Sequence, residues 1–246
     1  MANRYDNPVG GFFRIGQMKM DSDLLTGGFH TSDGNQYTKL RMDELSKEYV
    51  VSFFDNNLKL HGDRPEALRW SALGQRLHYL SLLDIGVLEG AKVLDFGCGK
   101  GDFWRFLSDR GILVDYTGYD INANLISLAE IKYPTGRFRV FDSDEDSLDE
   151  DFDYIFLCGV FNLRVAGLDD TIRKTLTKLF SRCRKGLAFN ALSDLNPRKD
   201  VELHYTSPED IFRFAVKNLS PYVSLRHDRM LYDFTMFVHR DQVQQE

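Results

Sequence analysis

An aspartate followed by three alternate glycines is the part of this sequence best suited to bind a ligand. Asp95 precedes Gly97, Gly99 and Gly101, and the apolar residues around Asp95 predict a buried strand. The spacing of the apolar residues after Gly101 predicts a helix, so the glycines form a strand-to-helix turn. Glycine allows positive φ and a close approach of ligand to backbone, and the first N–H groups of a helix attract a carboxylate or phosphate.

A second carboxylate follows one strand–helix–strand unit later. Residues 114–121 predict the second strand, which closes on Asp120. Because parallel strands end at the same edge of a sheet, Asp120 is expected beside the glycine turn. A carboxylate in this place can accept hydrogen bonds from both hydroxyls of a ribose, which favours a ligand that contains a nucleoside.

The spacing of the glycines separates two classes of nucleoside-binding protein. In the dinucleotide fingerprint Gly-x-Gly-x-x-Gly, the third glycine comes three residues after the second, whereas Gly101 follows Gly99 by two. The pattern of an acidic residue followed by x-Gly-x-Gly-x-Gly instead resembles motif I of the class I S-adenosylmethionine-dependent methyltransferases. A nicotinamide-linked oxidoreductase is therefore the less favoured alternative.

The resemblance extends over residues 88–238 in the order of the predicted elements. It implies an α/β fold with a seven-stranded, mostly parallel Rossmann-like sheet, helices on both faces, and an N-terminal helical and irregular cap. It implies S-adenosyl-L-methionine as cofactor, with an acid and its neighbour after the third strand contacting the adenine amine. The cofactor-binding residues predicted in this way are Asp95, Gly97, Cys98, Gly99, Gly101, Asp120, Ile121, Asp142, Ser143 and Cys158.

Three segments are predicted along the chain. Residues 1–36 lack a helical or alternating period and are interpreted as an irregular arm, with a lid over the domain and a loosely attached tail as the two alternatives. Residues 37–87 predict two helices that cap the site, the first over residues 37–60 and the second from Pro65 to Gly86. An apolar stripe that includes Leu45 and Tyr49 is expected to turn the first helix toward the interior. Residues 88–246 are predicted to form the cofactor-binding core.

The later part of the chain carries further element signals. Asn122 and Ser207 are predicted to cap two helices, and Pro208 suits the first position of the second. Residues 223–227 and 232–238 predict an antiparallel hairpin. This ending, with one reversed strand at the edge of the sheet, matches the methyltransferase fold.

Candidates for handling the methyl acceptor follow the predicted core strands, apart from Trp70 in the cap. Methyl transfer from a sulfonium is a displacement, and alignment of the two reactants can lower its barrier by up to ~7–11 kcal/mol. The catalytic residues therefore need not form a recognisable sequence motif. If a base is needed, His204 and Tyr205 are the candidates, because they lie where acceptor-facing groups are common. Asn162 and Asn190 are candidate orienting groups, Asn162 also as a catalytic residue, and Trp70 is a candidate substrate contact. Ordinary packing, turn and surface roles are the alternatives for all five residues.

Composition and charge restrict the partners and the compartment. A net charge of −6 argues against a DNA-binding protein, and no apolar run approaches membrane-spanning length. The first residues lack the apolar core of a signal peptide, so the protein is expected in the cytoplasm. Cys98, Cys158 and Cys183 have no zinc-binding spacing, and the acidic residues 144–151 lack the glycine of a calcium loop. We expect reduced thiols and no metal.

These observations favour an S-adenosylmethionine-dependent methyltransferase that acts on a small molecule. Residues 158–162 contain no proline, whereas enzymes of the resembling family that methylate exocyclic amines of nucleic acids usually carry a proline turn there. Within the same fold, the alternative is a methyltransferase that acts on protein or RNA. The alternative to an enzyme is a domain that binds S-adenosylmethionine without catalysis. The sequence predicts neither the acceptor atom nor the oligomeric state.

Overall fold

The computed structural model describes residues 42–241, and the predicted arm at residues 1–36 lies outside this range. Seven strands of the described chain form one sheet: β1 (Lys92–Phe96), β2 (Asp115–Asp120), β3 (Arg137–Val140), β4 (Phe152–Cys158), β5 (Cys183–Leu192), β6 (Val223–Met230) and β7 (Asp233–His239). Their order across the sheet is β3-β2-β1-β4-β5-β7-β6, with β7 antiparallel to both of its neighbours and the first five strands parallel. The predicted seven-stranded, mostly parallel Rossmann-like sheet is confirmed.

The reversed strand lies inside the sheet. Because β7 is inserted between β5 and β6, the prediction that the reversed strand forms the edge was wrong. The burial of the two hairpin strands explains their order: β7 is buried at every residue but its last, whereas most of β6 is exposed or partly buried. A strand that is buried on both faces lies inside the sheet, whereas a partly exposed strand suits the edge.

Six α-helices of the described chain accompany the sheet: α1 (Glu44–His61), α2 (Ala72–Leu82), α3 (Asp102–Ser108), α4 (Ala123–Lys132), α5 (Leu168–Ser181) and α6 (Pro208–Asn218). The side chains of Asn122 and Ser207 accept backbone hydrogen bonds in the first turns of α4 and α6, so both predicted caps are confirmed. None of the helices within residues 42–241 is long and apolar enough to span a membrane.

The second predicted cap helix is broken in two. Residues Pro65–Leu68 form a 3-10 turn, Arg69 takes a left-handed conformation with φ 60°, and α2 begins only after Ser71. The Ser71 side chain accepts a hydrogen bond from the Gly74 N–H at 3.0 Å and so caps a new helix. The prediction of one continuous helix was therefore wrong, because this local cap outweighs the helical spacing of the apolar residues.

Helix α1 presents an unexpected face to the interior. Leu45 and Tyr49 are 77% and 44% exposed, whereas Ser46 and Lys47 are buried, so the predicted inward stripe was wrong at these positions. Lys47 Nζ lies 2.7 Å from Asp142 Oδ2, after β3. This ion pair, between residues far apart in sequence, fixes the rotation of the helix about its axis.

Hydrophobic residues on both faces of the sheet form the core. Leu94 and Ile155 belong to a cluster with α5 and α6, whereas their neighbours Val93 and Phe156 belong to a cluster with α2 and α3. Successive residues of a strand point to opposite faces, so the central strands are buried on both sides. Binding groups therefore collect at the carboxyl edge of the sheet, where the strands end.

Candidate functional site

An open cleft lies at the carboxyl ends of β1 to β4. It encloses about 1130 Å³, a volume that includes space continuous with solvent. Eight predicted site residues line it: Trp70, Gly97, Gly99, Asp120, Ile121, Asp142, Ser143 and Cys158. Seven others lie outside the lining: Asp95, Cys98, Gly101, Asn162, Asn190, His204 and Tyr205.

The glycine turn after β1 needs glycine for two reasons. Gly97 and Gly99 have φ values of 74° and 55°, in the left-handed region that favours glycine. A Cβ atom on Gly97 would lie 2.5 Å from Val160 Cγ2, and one on Gly99 would lie 2.9 Å from Leu68 Cδ1. The side chains of Val160 and Leu68 therefore pack closely on the turn, and both glycines line the cleft beside them.

Asp120 connects the end of β2 to the glycine turn. Its Oδ2 accepts a hydrogen bond from the Gly99 N–H at 2.8 Å, and its Oδ1 accepts one from the Asn122 N–H at 2.8 Å. A carboxylate has about four acceptor positions, so Asp120 retains the capacity to accept two further hydrogen bonds from a ligand. Burial raises the pKa of Asp120, and the N–H groups of Asn122, Gly99 and Ile121 counteract part of that effect.

Asp95, at the end of β1, and Cys98 and Gly101, within the turn, do not line the cleft. Asp95 is only 2% exposed and accepts a hydrogen bond from the Tyr116 hydroxyl at 2.5 Å. Burial raises the pKa of Asp95 to about 7. Cys98 is also buried, and Gly101 is the residue from which α3 starts. These three residues are placed to shape the turn, and their roles toward a cofactor stay predictions.

A buried ion-pair network behind the turn was not predicted from the sequence. Lys100 is 1% exposed, and its Nζ lies 2.6 Å from Asp102 Oδ2 and 3.1 Å from Asp63 Oδ1. Lys132 Nζ contacts Asp63 Oδ1 at 2.6 Å and Asp102 Oδ1 at 3.1 Å. The network joins Asp63, between α1 and α2, to α3 and α4, and the paired carboxylates compensate the cost of burying the lysines.

The loop after β3 forms another wall of the cleft. Asp142 and Ser143 line it, together with Ile121 after β2 and Lys47 from α1. Burial raises the pKa of Asp142, but the hydrogen bond from Lys47 and the Asp144 N–H outweigh it and the net shift is downward. Asp142 is therefore an ionised hydrogen-bond acceptor at neutral pH.

The turn after β4 is held from inside the protein by Asn190. Asn190 is 1% exposed, and its Oδ1 accepts a hydrogen bond from the Gly159 N–H at 2.7 Å. Its Nδ2 lies 3.2 Å from Nδ1 of His78. The other ring nitrogen of His78, Nε2, lies 3.2 Å from Asp233 Oδ2, but the geometry of this contact is not that of a hydrogen bond. The structure thus places Asn190 as a support for the turn, with no contact to the cleft.

Trp70 packs directly on this turn. A Cβ atom on Gly159 would lie 2.5 Å from Cζ2 of Trp70, and the Trp70 ring centroid lies 4.3 Å from that of His78. Trp70 and Cys158 both line the cleft at this end. Neither His78 nor Asp233 could be found from the sequence, because they lie on α2 and β7 without any motif spacing.

The remaining acceptor-side candidates lie outside the cleft. His204 Nε2 is 3.3 Å from Asp169 Oδ1, and burial lowers the His204 pKa. The Tyr205 hydroxyl accepts a hydrogen bond from the Asp200 N–H at 2.8 Å and borders a separate polar cavity. The backbone carbonyl of Asn162 accepts a hydrogen bond from the His204 N–H at 3.0 Å. The structure does not bring His204 or Tyr205 to the glycine turn.

Sequence comparison decides which class of enzyme this cleft belongs to. A family model described as a methyltransferase domain matches residues 63–219, well over half of the chain. The chain belongs to this methyltransferase family. A Mycobacterium tuberculosis protein, Rv1506c, provisionally named a methyltransferase, is 33% identical over 163 residues, which cover 63% of this chain and 97% of that protein.

Solved structures show the same fold. Magnesium protoporphyrin IX methyltransferase from Synechocystis with bound S-adenosylhomocysteine has a TM-score of 0.58 and 17% identity, covering 80% of this chain and 99% of that one. A complex of DhpI with S-adenosylhomocysteine has a TM-score of 0.59 and 17% identity, covering 78% and 95%. The prediction of a class I S-adenosylmethionine-dependent methyltransferase is confirmed, and the oxidoreductase alternative is not supported.

Proposed function

We propose that the cleft holds S-adenosylmethionine across the ends of β1 to β4 and presents its methyl group to a small molecule. The observation that carries this proposal is Asp120, which receives the Gly99 N–H and still has acceptor positions for a ribose. The glycine turn fits the amino acid end of the cofactor, since Gly97 and Gly99 line the cleft and carry no side chain. Asp142 and Ser143, with Ile121, fit the adenine end.

The residues of the chain contribute alignment to the reaction. When bound, S-adenosylmethionine supplies a methyl group on a positively charged sulfur. Asn190 and His78 hold the Gly159 turn, and Trp70 covers it, so this wall of the cleft is rigid. Rigid placement of two reactants can supply up to ~7–11 kcal/mol of the barrier reduction. We propose that Asn162 orients the acceptor from a place beside Gly159, just outside the lining, because its buried Oδ1 has no partner among the described residues.

The acceptor is proposed to be a small molecule with an apolar body. Beyond the residues assigned to the cofactor, the lining is largely apolar: Met42, Val50, Phe54, Leu68, Trp70, Val160, Phe161, Leu163, Val165 and Leu168. Apolar lining with a few polar groups is typical of small-molecule sites. The structural neighbour named for magnesium protoporphyrin IX agrees with such an acceptor. A protein or RNA acceptor is the alternative, and binding of S-adenosylhomocysteine does not distinguish the two.

The organisation and compartment of the protein are proposals of the same kind. We propose that the part of residues 37–87 that the structure describes caps the core formed by residues 88–246. Leu68 and Trp70 of this segment line the cleft. We also propose that the protein acts in the cytoplasm, which agrees with the free thiols of Cys98, Cys158 and Cys183.

Calorimetric titration tests the cofactor assignment. We expect the unaltered protein to bind S-adenosylmethionine and S-adenosylhomocysteine but not NAD. Asp120→Ala should weaken S-adenosylhomocysteine binding at least tenfold, because lost charge-assisted hydrogen bonds cost ~1.5–3 kcal/mol. The matched control is Asp115→Ala at the other end of β2, where the carboxylate pairs with Arg137 at the surface. Unchanged affinity in a folded Asp120→Ala variant would remove Asp120 from the site.

A further inference from the structure

Lys47 is a buried cation on the wall of the cleft. Lys47 is 7% exposed and lines the cleft. Its Nζ lies 2.7 Å from Asp142 Oδ2 and 3.2 Å from Glu44 Oε1. Burying an ammonium group costs several kcal/mol unless a carboxylate compensates it. A lysine that served only to cover apolar surface would extend its charged end into water instead.

We propose that Lys47 is a specificity-determining residue for the cofactor, because it holds the Asp142 carboxylate in place as an acceptor for the amino group of adenine. This inference rests on the proposed function, in which Asp142 lies at the adenine end. It adds a residue from the cap to a recognition site that otherwise belongs to the core.

The hydrogen bonds of Asp142 explain why Lys47 matters. Its Oδ1 accepts the Asp144 N–H at 2.8 Å, and its Oδ2 receives Lys47, so both oxygens have a fixed direction. Each oxygen still has an acceptor position left. Lys47 also counteracts the effect of burial on the Asp142 pKa and keeps the group ionised. An ionised carboxylate accepts from a 6-amino group but repels the oxygen of a 6-oxo purine.

Contacts on both sides of Lys47 along the chain hold it beside Asp142. Near the start of the helix, the Met42 N–H donates to Asp144 Oδ2 at 3.1 Å. In the second half, Asp55 accepts hydrogen bonds from Nδ2 of Asn122 at 2.8 Å and from Nδ2 of Asn124 at 2.9 Å. The helix is therefore tied to the loop after β3 and to the start of α4, and the ammonium group has little freedom to leave Asp142.

The same ion pair has a second interpretation, with the opposite effect on binding. If Lys47 occupied the place of the adenine amine, the cofactor would have to displace it, and the ion pair would inhibit binding. Removal of the ammonium group would then strengthen cofactor binding. The sign of the change in affinity separates the two interpretations.

The test compares two ligands in calorimetric titrations of the full chain. S-adenosylhomocysteine carries a 6-amino group, and its deaminated analogue S-inosylhomocysteine carries a 6-oxo group. We expect the unaltered protein to prefer S-adenosylhomocysteine. Lys47→Met should weaken S-adenosylhomocysteine binding at least tenfold and S-inosylhomocysteine binding less than threefold, because only the amino group depends on the fixed carboxylate.

Three further variants complete the experiment. Lys174→Met removes a lysine that pairs with Asp144 of the same loop, where the lysine side chain is 41% exposed, and should change either affinity less than twofold. Lys47→Arg keeps the cation and should keep most of the preference. If Lys47→Met does not fold, Lys47→Gln removes the charge but retains a polar end, and the same loss of preference is expected.

The outcomes separate this inference from the proposed function. Unchanged or tighter S-adenosylhomocysteine binding by a folded Lys47→Met variant would overturn the inference alone. Equal weakening of both ligands would also overturn it, since Lys47 would then act only by keeping α1 in place. Failure of the unaltered protein to bind S-adenosylhomocysteine would overturn the proposed function and this inference together.

Discussion

The glycine turn and helix α1 border the same cleft, but different kinds of contact hold them in place. In the turn, the N–H groups of Gly97 and Cys98 both donate to the Tyr119 carbonyl, at 2.7 and 3.0 Å. Helix α1 is tied by side chains, such as Lys47 to Asp142 and Asp55 to Asn122. The turn is thus set by its own backbone and by Asp120, all within one strand–helix–strand unit, whereas the helix depends on partners that only the complete fold supplies.

Adding a methyl group to the turn should have the largest effect. Gly97→Ala places a Cβ atom 2.5 Å from Val160 Cγ2 on a backbone with φ 74°, so either the turn or the end of β4 must move. The left-handed conformation alone costs an alanine roughly 1–2 kcal/mol. We expect S-adenosylhomocysteine binding to weaken at least a hundredfold, about 2.7 kcal/mol, as measured by calorimetry.

Gly90→Ala is the matched control for this variant. Gly90 has φ 70°, and a Cβ atom there would meet nothing within 4 Å, so the substitution adds the conformational cost without the collision. It should lower the melting temperature slightly and leave binding unchanged. If Gly97→Ala does not fold, the double variant Gly97→Ala with Val160→Ala removes the colliding atoms and should recover part of the stability. Equal affinity of the Gly97→Ala and Gly90→Ala variants for S-adenosylhomocysteine would contradict the importance of the close contact between Gly97 and Val160.

Removing a side-chain support should have a smaller effect. Asn190→Leu leaves the partly buried Gly159 N–H without its acceptor, which costs roughly 1–3 kcal/mol of the free energy of unfolding. Because Gly159 is at the wall near Cys158 and Trp70, S-adenosylhomocysteine affinity should fall about threefold to tenfold. Denaturant unfolding and calorimetry measure the two quantities.

Ser81→Ala is the control for the Asn190 variant. It breaks the buried hydrogen bond of 2.9 Å between Ser81 and Thr235, on the same elements α2 and β7 that carry His78 and Asp233. The protein should lose a similar amount of stability but keep its affinity for S-adenosylhomocysteine. A similar fall in affinity for both variants would show that Asn190 contributes only to general stability.

The contrast between turn and helix also explains what could be predicted from the sequence. Alternate glycines and the acid that closes β2 follow local rules, so Gly97, Gly99 and Asp120 were predicted and do line the cleft. The face of α1 that turns toward the interior could not be predicted from the spacing of its apolar residues, because the burial of Lys47 depends on its ion pair with Asp142. The break at Arg69 was missed since the Ser71 cap interrupts an otherwise helical pattern.

The acceptor side was the least predictable part of the site. The place of His204 and Tyr205 after β5 predicts acceptor contacts, but their positions depend on how the loop packs against Asp169 and Asp200. Asn190 was expected to face the cleft and instead holds the Gly159 N–H from within. Side chains after the end of a strand can turn inward or outward, and residue type alone does not decide which.

A crystal structure of the protein grown with S-adenosylhomocysteine tests the central claim most directly. Our account predicts electron density for the ribose hydroxyls within hydrogen-bond distance of Asp120, with the purine beside Asp142 and the amino acid end over Gly97 and Gly99. Density for the compound elsewhere, or a cleft without density at saturating ligand, would contradict it.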